Sequence, residues 1–113
     1  MQYMALIYAA EDADDVDLNT LIQQYTEFGE KAAAAGVLVD DGNALQPVST
    51  ATTVRLRNGK AEITDGPFAE TKEQLGGYYI LDCDTLDTAL HWAAQIPSAR
   101  YGSIEVRPVM QFD

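Results

Sequence analysis

The chain has 113 residues, 47% of them apolar, with 18 acidic and 7 basic side chains and one cysteine. That length supports one domain with a single core, 1–113, and the apolar fraction is too high for disorder. A net charge of −11 repels phosphate backbones, so direct nucleic-acid binding is not expected, and no apolar run approaches the ~20 residues of a membrane span. A lone Cys83 excludes an intramolecular disulfide and fits a reducing cytoplasm; at the end of an apolar strand it reads as a small core residue. No basic region precedes an apolar one at the N-terminus, so no leader is expected.

Residues 2–9 are a continuous apolar run, long enough for a buried strand and too short for a helix. The acidic stretch Glu11-Asp12-Ala13-Asp14-Asp15-Val16-Asp17 reads as a solvated loop whose last carboxylates favour a helix start. It lacks the central glycine and terminal glutamate of a calcium loop, so no metal is expected there. From Leu18, the positions Leu21, Ile22, Tyr25, Phe28 and Ala32 recur at three and four, one stripe of a helix ending at Gly36. Val37-Leu38-Val39 starts a second strand, broken by the turn-rich Asp40-Asp41-Gly42-Asn43. Thr52 to Arg57 alternates, Asn58-Gly59 is a hairpin turn, and Lys60 to Thr64 returns as the partner strand. Tyr78 to Cys83 is a strand. Asp84, with Asp87 three residues on, is the expected N-cap of a helix carrying Leu86, Ala89, Leu90 and Ala93 on one face. Pro97 stops it, and Ile104 to Val109 is the last strand.

The order β-α-β-(hairpin)-β-α-β predicts an α+β, ferredoxin-like domain with an extra β-hairpin. Two helices cover only one sheet face. Strands 2–9 and 78–83 are apolar on both faces, so the second face predicts a homodimer packed through the sheets with two-fold symmetry.

Between the hairpin and the fifth strand lies Asp65-Gly66-Pro67-Phe68-Ala69-Glu70-Thr71-Lys72-Glu73-Gln74-Leu75-Gly76-Gly77-Tyr78, turn formers and charges held between two strands. This segment resembles the signature of the DGPF proteins, a branch of the YCII-related family. Met1 to Tyr8, Ala34-Ala35-Gly36-Val37-Leu38 and Ile104-Glu105-Val106-Arg107-Pro108-Val109 resemble the family's other recurrent segments, in order. The resemblance implies a dimeric α/β-barrel type of fold and a homodimer. Some DGPF proteins are encoded with or fused to extracytoplasmic-function sigma factors, so it also admits a regulatory association with one. YCII-related proteins are discussed with a His–Asp pair, the histidine in the first helix. Here that neighbourhood reads Ile22-Gln23-Gln24-Tyr25-Thr26, so Asp65, if it matches the aspartate, has no histidine partner.

The one histidine, His91, lies about 140° from Leu86 at ~100° per residue and faces solvent. The candidate catalytic residue is therefore Asp65, and the candidate ligand-binding residues are Tyr8, Glu70, Lys72, Glu73 and Arg107. A carboxylate and an arginine walled by aromatics suit a small polar or anionic molecule. The bland alternatives are a turn former for Asp65, a surface ion pair for Lys72, and a polar dimer seam for Glu105 and Arg107. No phosphate-cradling glycine loop, zinc spacing or nucleophile elbow is present, and no cofactor is expected. Two readings stand: a small-molecule-binding protein, with cofactor-free catalysis left open, and a non-catalytic regulatory or interaction module.

Overall fold

The computed structural model describes residues 1–12 and 17–112. In chain order the elements are β1 (Gln2–Ala9), α1 (Leu18–Ala34), β2 (Leu38–Ala44), β3 (Thr52–Arg57), β4 (Lys60–Asp65), β5 (Gln74–Asp82), α2 (Leu86–Ala93) and β6 (Ser103–Pro108). Short 3-10 turns occupy Val48–Thr50 and Pro97–Arg100. Four strands form one sheet in the order β2-β5-β1-β6, with every neighbouring pair antiparallel. That is the ferredoxin-like arrangement. β3 and β4 form a separate two-stranded hairpin.

Strand alternation divides the sheet into two faces. Tyr3, Ala5 and Ile7 of β1 and Leu81 of β5 are buried with Phe28 and Ala32 of α1 and Ala89 and Ala93 of α2, so both helices cover one face. Phe28 sits at the centre, its ring 5.2 Å from Tyr79 and 6.5 Å from Trp92. Cys83 is buried in the same core, and burial pushes its thiol up, which suits packing and not nucleophilic chemistry. The opposite face carries Met4 and Leu6 of β1, Ile80 of β5 and, opposite the β1 pair, Arg107 and Glu105 of β6. Among the described residues no helix lies over it.

Local signals explain the boundaries. Asp17 caps α1, its carboxylate accepting from the Thr20 hydroxyl at 2.6 Å and the Thr20 amide at 3.3 Å, bonds that hold its pKa below the usual carboxylate value. Residues 13–16 of the acidic stretch lie outside the described residues. Gly36 follows the helix at φ +73°, a left-handed position open to glycine. Asn58 and Gly59 both take positive φ, which matches the strand twist of a two-residue hairpin.

Three expectations need correction. β2 does not break at Asp40-Asp41-Gly42-Asn43 but runs through it, because register shifts after Leu38 and after Asp40 absorb the turn residues while pairing to β5 continues. β5 starts at Gln74, four residues before Tyr78, since Gly76 and Gly77 are strand residues. α2 is capped by Thr85, whose hydroxyl accepts from the Thr88 amide at 3.2 Å, rather than by Asp84. The helix itself ends at Ala93, and Pro97 opens the following 3-10 turn.

One departure from the helical stripe positions the site. Phe28 and Ala32 are buried as the spacing predicts, yet Leu18 and Ile22 remain 67% and 55% exposed. The C-terminal half of α1 packs on the sheet and its first half does not cover it. The space beneath that half is a cleft.

Candidate functional site

The cleft has a volume of about 570 Å³. Leu21, Ile22 and Tyr25 form its helix side. Ile7, Ala9, Ala44 and the Gly76-Gly77 pair form its sheet side, and Tyr79 and Ser98 lie at its inner end. Gly77 is required there by close approach: a Cβ would lie 2.8 Å from the Asn43 carbonyl oxygen on β2. The signature segment thus contributes backbone to the cleft through its glycines.

The polar groups of the cleft are few and mostly neutral. The Tyr25 and Ser98 hydroxyls are 2.6 Å apart, either one able to donate, and Ser98 is buried. The Tyr25 and Tyr79 rings stack at 6.5 Å between centroids. Burial pushes the Tyr79 phenol up to about 12, helped by Tyr25 and by the negative charge of Asp41. Burial likewise raises Tyr25, with the Ser98 bond opposing it. Both phenols therefore stay protonated at neutral pH, as hydrogen-bonding groups and not bases. Asp41 is the charged residue among those lining the cleft.

A phenol whose folded pKa lies above its unfolded value stabilises the fold below pH about 10, and that contribution is lost as pH rises through about 12. In a spectrophotometric titration of the six tyrosines, Tyr79→Phe should remove an ionisation step near pH 12. An unchanged high-pH step in that variant would contradict the burial of this phenol.

A second, shallower depression of about 500 Å³ lies on the other face, lined by Tyr8, Thr71, Glu73, Ser103, Ile104 and Glu105. A bulge between Ile7 and Tyr8, where Gly76 is skipped in the pairing to β5, marks the end of β1 where the two hollows come closest in sequence. The Ser103 hydroxyl donates to Glu73 Oε1 at 2.9 Å, and Arg107 forms an ion pair with Glu105, Nε to Oε2 2.9 Å.

Of the residues predicted from sequence, the structure brings Tyr8 and Glu73 together here, with Arg107 beside them through Glu105. Asp65 is elsewhere. It ends β4 opposite Thr52, exposed, beside a turn closed by the Gly66 amide on the Ala51 carbonyl at 2.7 Å and the Thr53 hydroxyl on the Gly66 carbonyl at 2.8 Å. Glu70 and Lys72 are exposed and line neither hollow, and Phe68 is 78% exposed. Tyr8 and Tyr25 line hollows on opposite sides of the sheet, so they do not share a pocket. His91 is exposed and meets Gln95 at 3.1 Å. The groups missed from sequence are Ser98 and the pairing of Tyr25 with Tyr79; only the Pro97 turn hinted at the first, and nothing local hinted at the second. Among the described residues there is no cluster of three or more metal-ligating side chains, and no helix is long and apolar enough to cross a membrane.

The family model of the YCII-related domain matches residues 1–113. An uncharacterised protein of Rhizobium meliloti (strain 1021), R00369, is 41% identical over 95 residues, covering 82% of this chain and 70% of that protein. Among solved structures, the 5-chloro-2-hydroxyhydroquinone dehydrochlorinase TftG of Burkholderia phenoliruptrix AC1100, in complex with 2,5-dihydroxybenzoquinone, superposes with a TM-score of 0.54 at 13% identity. The match covers 99% of this chain and 96% of that one, and at that identity it establishes a shared fold.

Proposed function

The chain belongs to the YCII-related family, and from that premise we propose that it is a small-molecule-binding domain whose ligand occupies the cleft beneath the first half of α1. The observation that carries this reading is the apolar slot left where Leu18 and Ile22 stay exposed, with the Tyr25–Ser98 hydroxyl pair at its inner end. Pockets of this kind, apolar walls with a few convergent polar groups, are the usual form of small-ligand sites.

The lining also sets the class of ligand. Stacked phenols and Gly77 offer flat surfaces, and the neutral hydroxyls recognise a hydroxyl or carbonyl oxygen. Asp41 and the absence of a lining cation disfavour an anion. A planar, uncharged, hydroxyl-bearing ring fits best. TftG, a protein of the same fold, was solved with a planar, oxygen-bearing ring, 2,5-dihydroxybenzoquinone. With both phenols held protonated, they bind and orient a ligand as hydrogen-bonding groups and do not take a proton from it.

A second reading has its own support. The open-face depression gathers Tyr8, Glu73, Ser103 and Glu105, a more polar set that would hold a small anion only through the neighbouring Arg107, in competition with Glu105. Amide NMR spectra recorded with resorcinol and with benzoate separate the two. The first reading expects saturable shifts with resorcinol at Leu21, Tyr25, Gly77 and Ser98, and binding of benzoate about tenfold weaker or less. Tighter binding of benzoate, with shifts at Tyr8, Ser103 and Arg107, would replace it with the second.

The assembly we propose is a homodimer through the open sheet face, where Met4, Leu6 and Ile80 present an apolar stripe uncovered by any described element. Sedimentation at micromolar concentration should show a dimer. A stable monomer would contradict this.

A further inference from the structure

The β3–β4 hairpin is an isolated ribbon. Its strands pair with each other and join no other sheet, and it packs only sparsely on the rest of the chain. An isolated hairpin is at best marginally stable in water. The pairing of Val54 with Ile63 and of Leu56 with Ala61 puts all four on one face. Val54, Leu56 and Ile63 on that face are 66%, 67% and 70% exposed. The alternation is that of a strand pair meant to be buried on one side, yet its own domain does not bury it.

We propose that this hairpin is an arm held by a second copy of the chain, its Val54–Leu56–Ile63 face laid on the open sheet face around Met4, Leu6 and Ile80 of that copy. The inference rests on the homodimer reading and adds to it a reciprocal exchange of arms.

Surface area supports a partner of this size. The chain exposes 8025 Å², whereas a compact monomer of 12.3 kDa exposes about 6,100 Å² by the usual scaling. Its Cα radius of gyration is 16.0 Å, against about 13 Å for a compact domain of this length. The excess, on the order of 1,900 Å² for each chain, is what an obligate homodimer interface would bury. Charge selects the arm as the contacting element. Residues 52–65 hold three of the seven cations (Arg55, Arg57, Lys60) against two of the eighteen carboxylates, so the arm is slightly positive and the remaining body strongly negative. Two acidic bodies repel each other, and arm against body is the juxtaposition of unlike sign. Reciprocal contact of arm and sheet also closes under a two-fold axis, leaving no free patch to propagate a chain.

The test mixes two preparations of the full chain without ligand. One is isotopically labelled. The other is unlabelled and carries a nitroxide on Arg55→Cys in a Cys83→Ala background. Arg55 lies on the arm's polar face, so the label leaves the apolar face intact. Broadening of the Met4, Leu6 and Ile80 amides in the labelled chain is expected. Broadening confined to other surfaces, in a protein that sediments as a dimer, overturns the arm proposal and leaves the dimer standing. A monomer overturns both, and neither outcome bears on ligand binding in the cleft. As a second measurement on the otherwise native chain, Leu56→Lys should weaken dimerisation at least about tenfold, and a dimer as tight as the wild type overturns the proposal.

Discussion

Phe28→Ala is expected to lower unfolding free energy by about 3–5 kcal/mol, the range for removing a buried aromatic from a core. Phe28 is 4% exposed, and its ring contacts those of Tyr79 and Trp92, so it joins α1 to β5 and to α2 at one point. Neighbouring side chains are large and cannot collapse fully into the space, which keeps the cavity cost high. Total stabilities of small domains are about 5–15 kcal/mol, so this one substitution removes a large fraction. Urea unfolding followed by circular dichroism would measure it; a loss below about 1 kcal/mol would mean the core does not close around this ring. The same variant should reach the cleft, because Phe28 backs Tyr79. With that wall gone, the Tyr79 phenol gains water and its pKa falls back toward the ordinary value.

The second large effect lies within the signature segment and separates two adjacent glycines. At Gly77 a Cβ would sit 2.8 Å from the Asn43 carbonyl oxygen and 3.4 Å from the Ala44 Cα, both backbone atoms of the neighbouring strand. Backbone held in a ladder cannot rotate away as a flexible side chain would. Gly77→Ala must push β2 aside, with an expected cost of about 1–3 kcal/mol. At Gly76 a Cβ meets nothing within 4 Å, and φ lies outside the left-handed region, so Gly76→Ala should be neutral within about 0.5 kcal/mol. Paired denaturation curves for the two variants give the answer, and equal losses would remove the close-approach explanation. Because β2 forms one wall of the cleft, Gly77→Ala should also weaken ligand binding while Gly76→Ala does so less.

Much of the fold was legible because it rests on local periodicity. The apolar run of β1, the stripe on α1 and the Asn58-Gly59 turn each announce one element, and their order specifies the ferredoxin-like topology. β2 was harder to read because its pairing survives two register shifts, and Gly42 with φ +70° looks in sequence like a stop. The site was less legible for a different reason. A three-and-four stripe marks residues that face the sheet but not how closely the helix approaches it. Leu21, Ile22 and Tyr25 therefore read as core, although they line a cleft. Tyr8 and Tyr25 line hollows on opposite faces of the sheet, which only strand register reveals. The density of charge around Asp65 drew attention to a loop, whereas the enclosed space is bordered by the glycines at that loop's far end.

The ligand's place in the cleft is tested by calorimetric titration of resorcinol into two variants. Leu21→Trp places a large ring at the helix side of the cleft, and Asp65→Asn removes the signature carboxylate while keeping a residue that suits its turn. Binding should fall about tenfold or more in Leu21→Trp and stay within about twofold of wild type in Asp65→Asn. Loss of binding in Asp65→Asn, with Leu21→Trp binding as the wild type does, would contradict it and move the site to the signature loop.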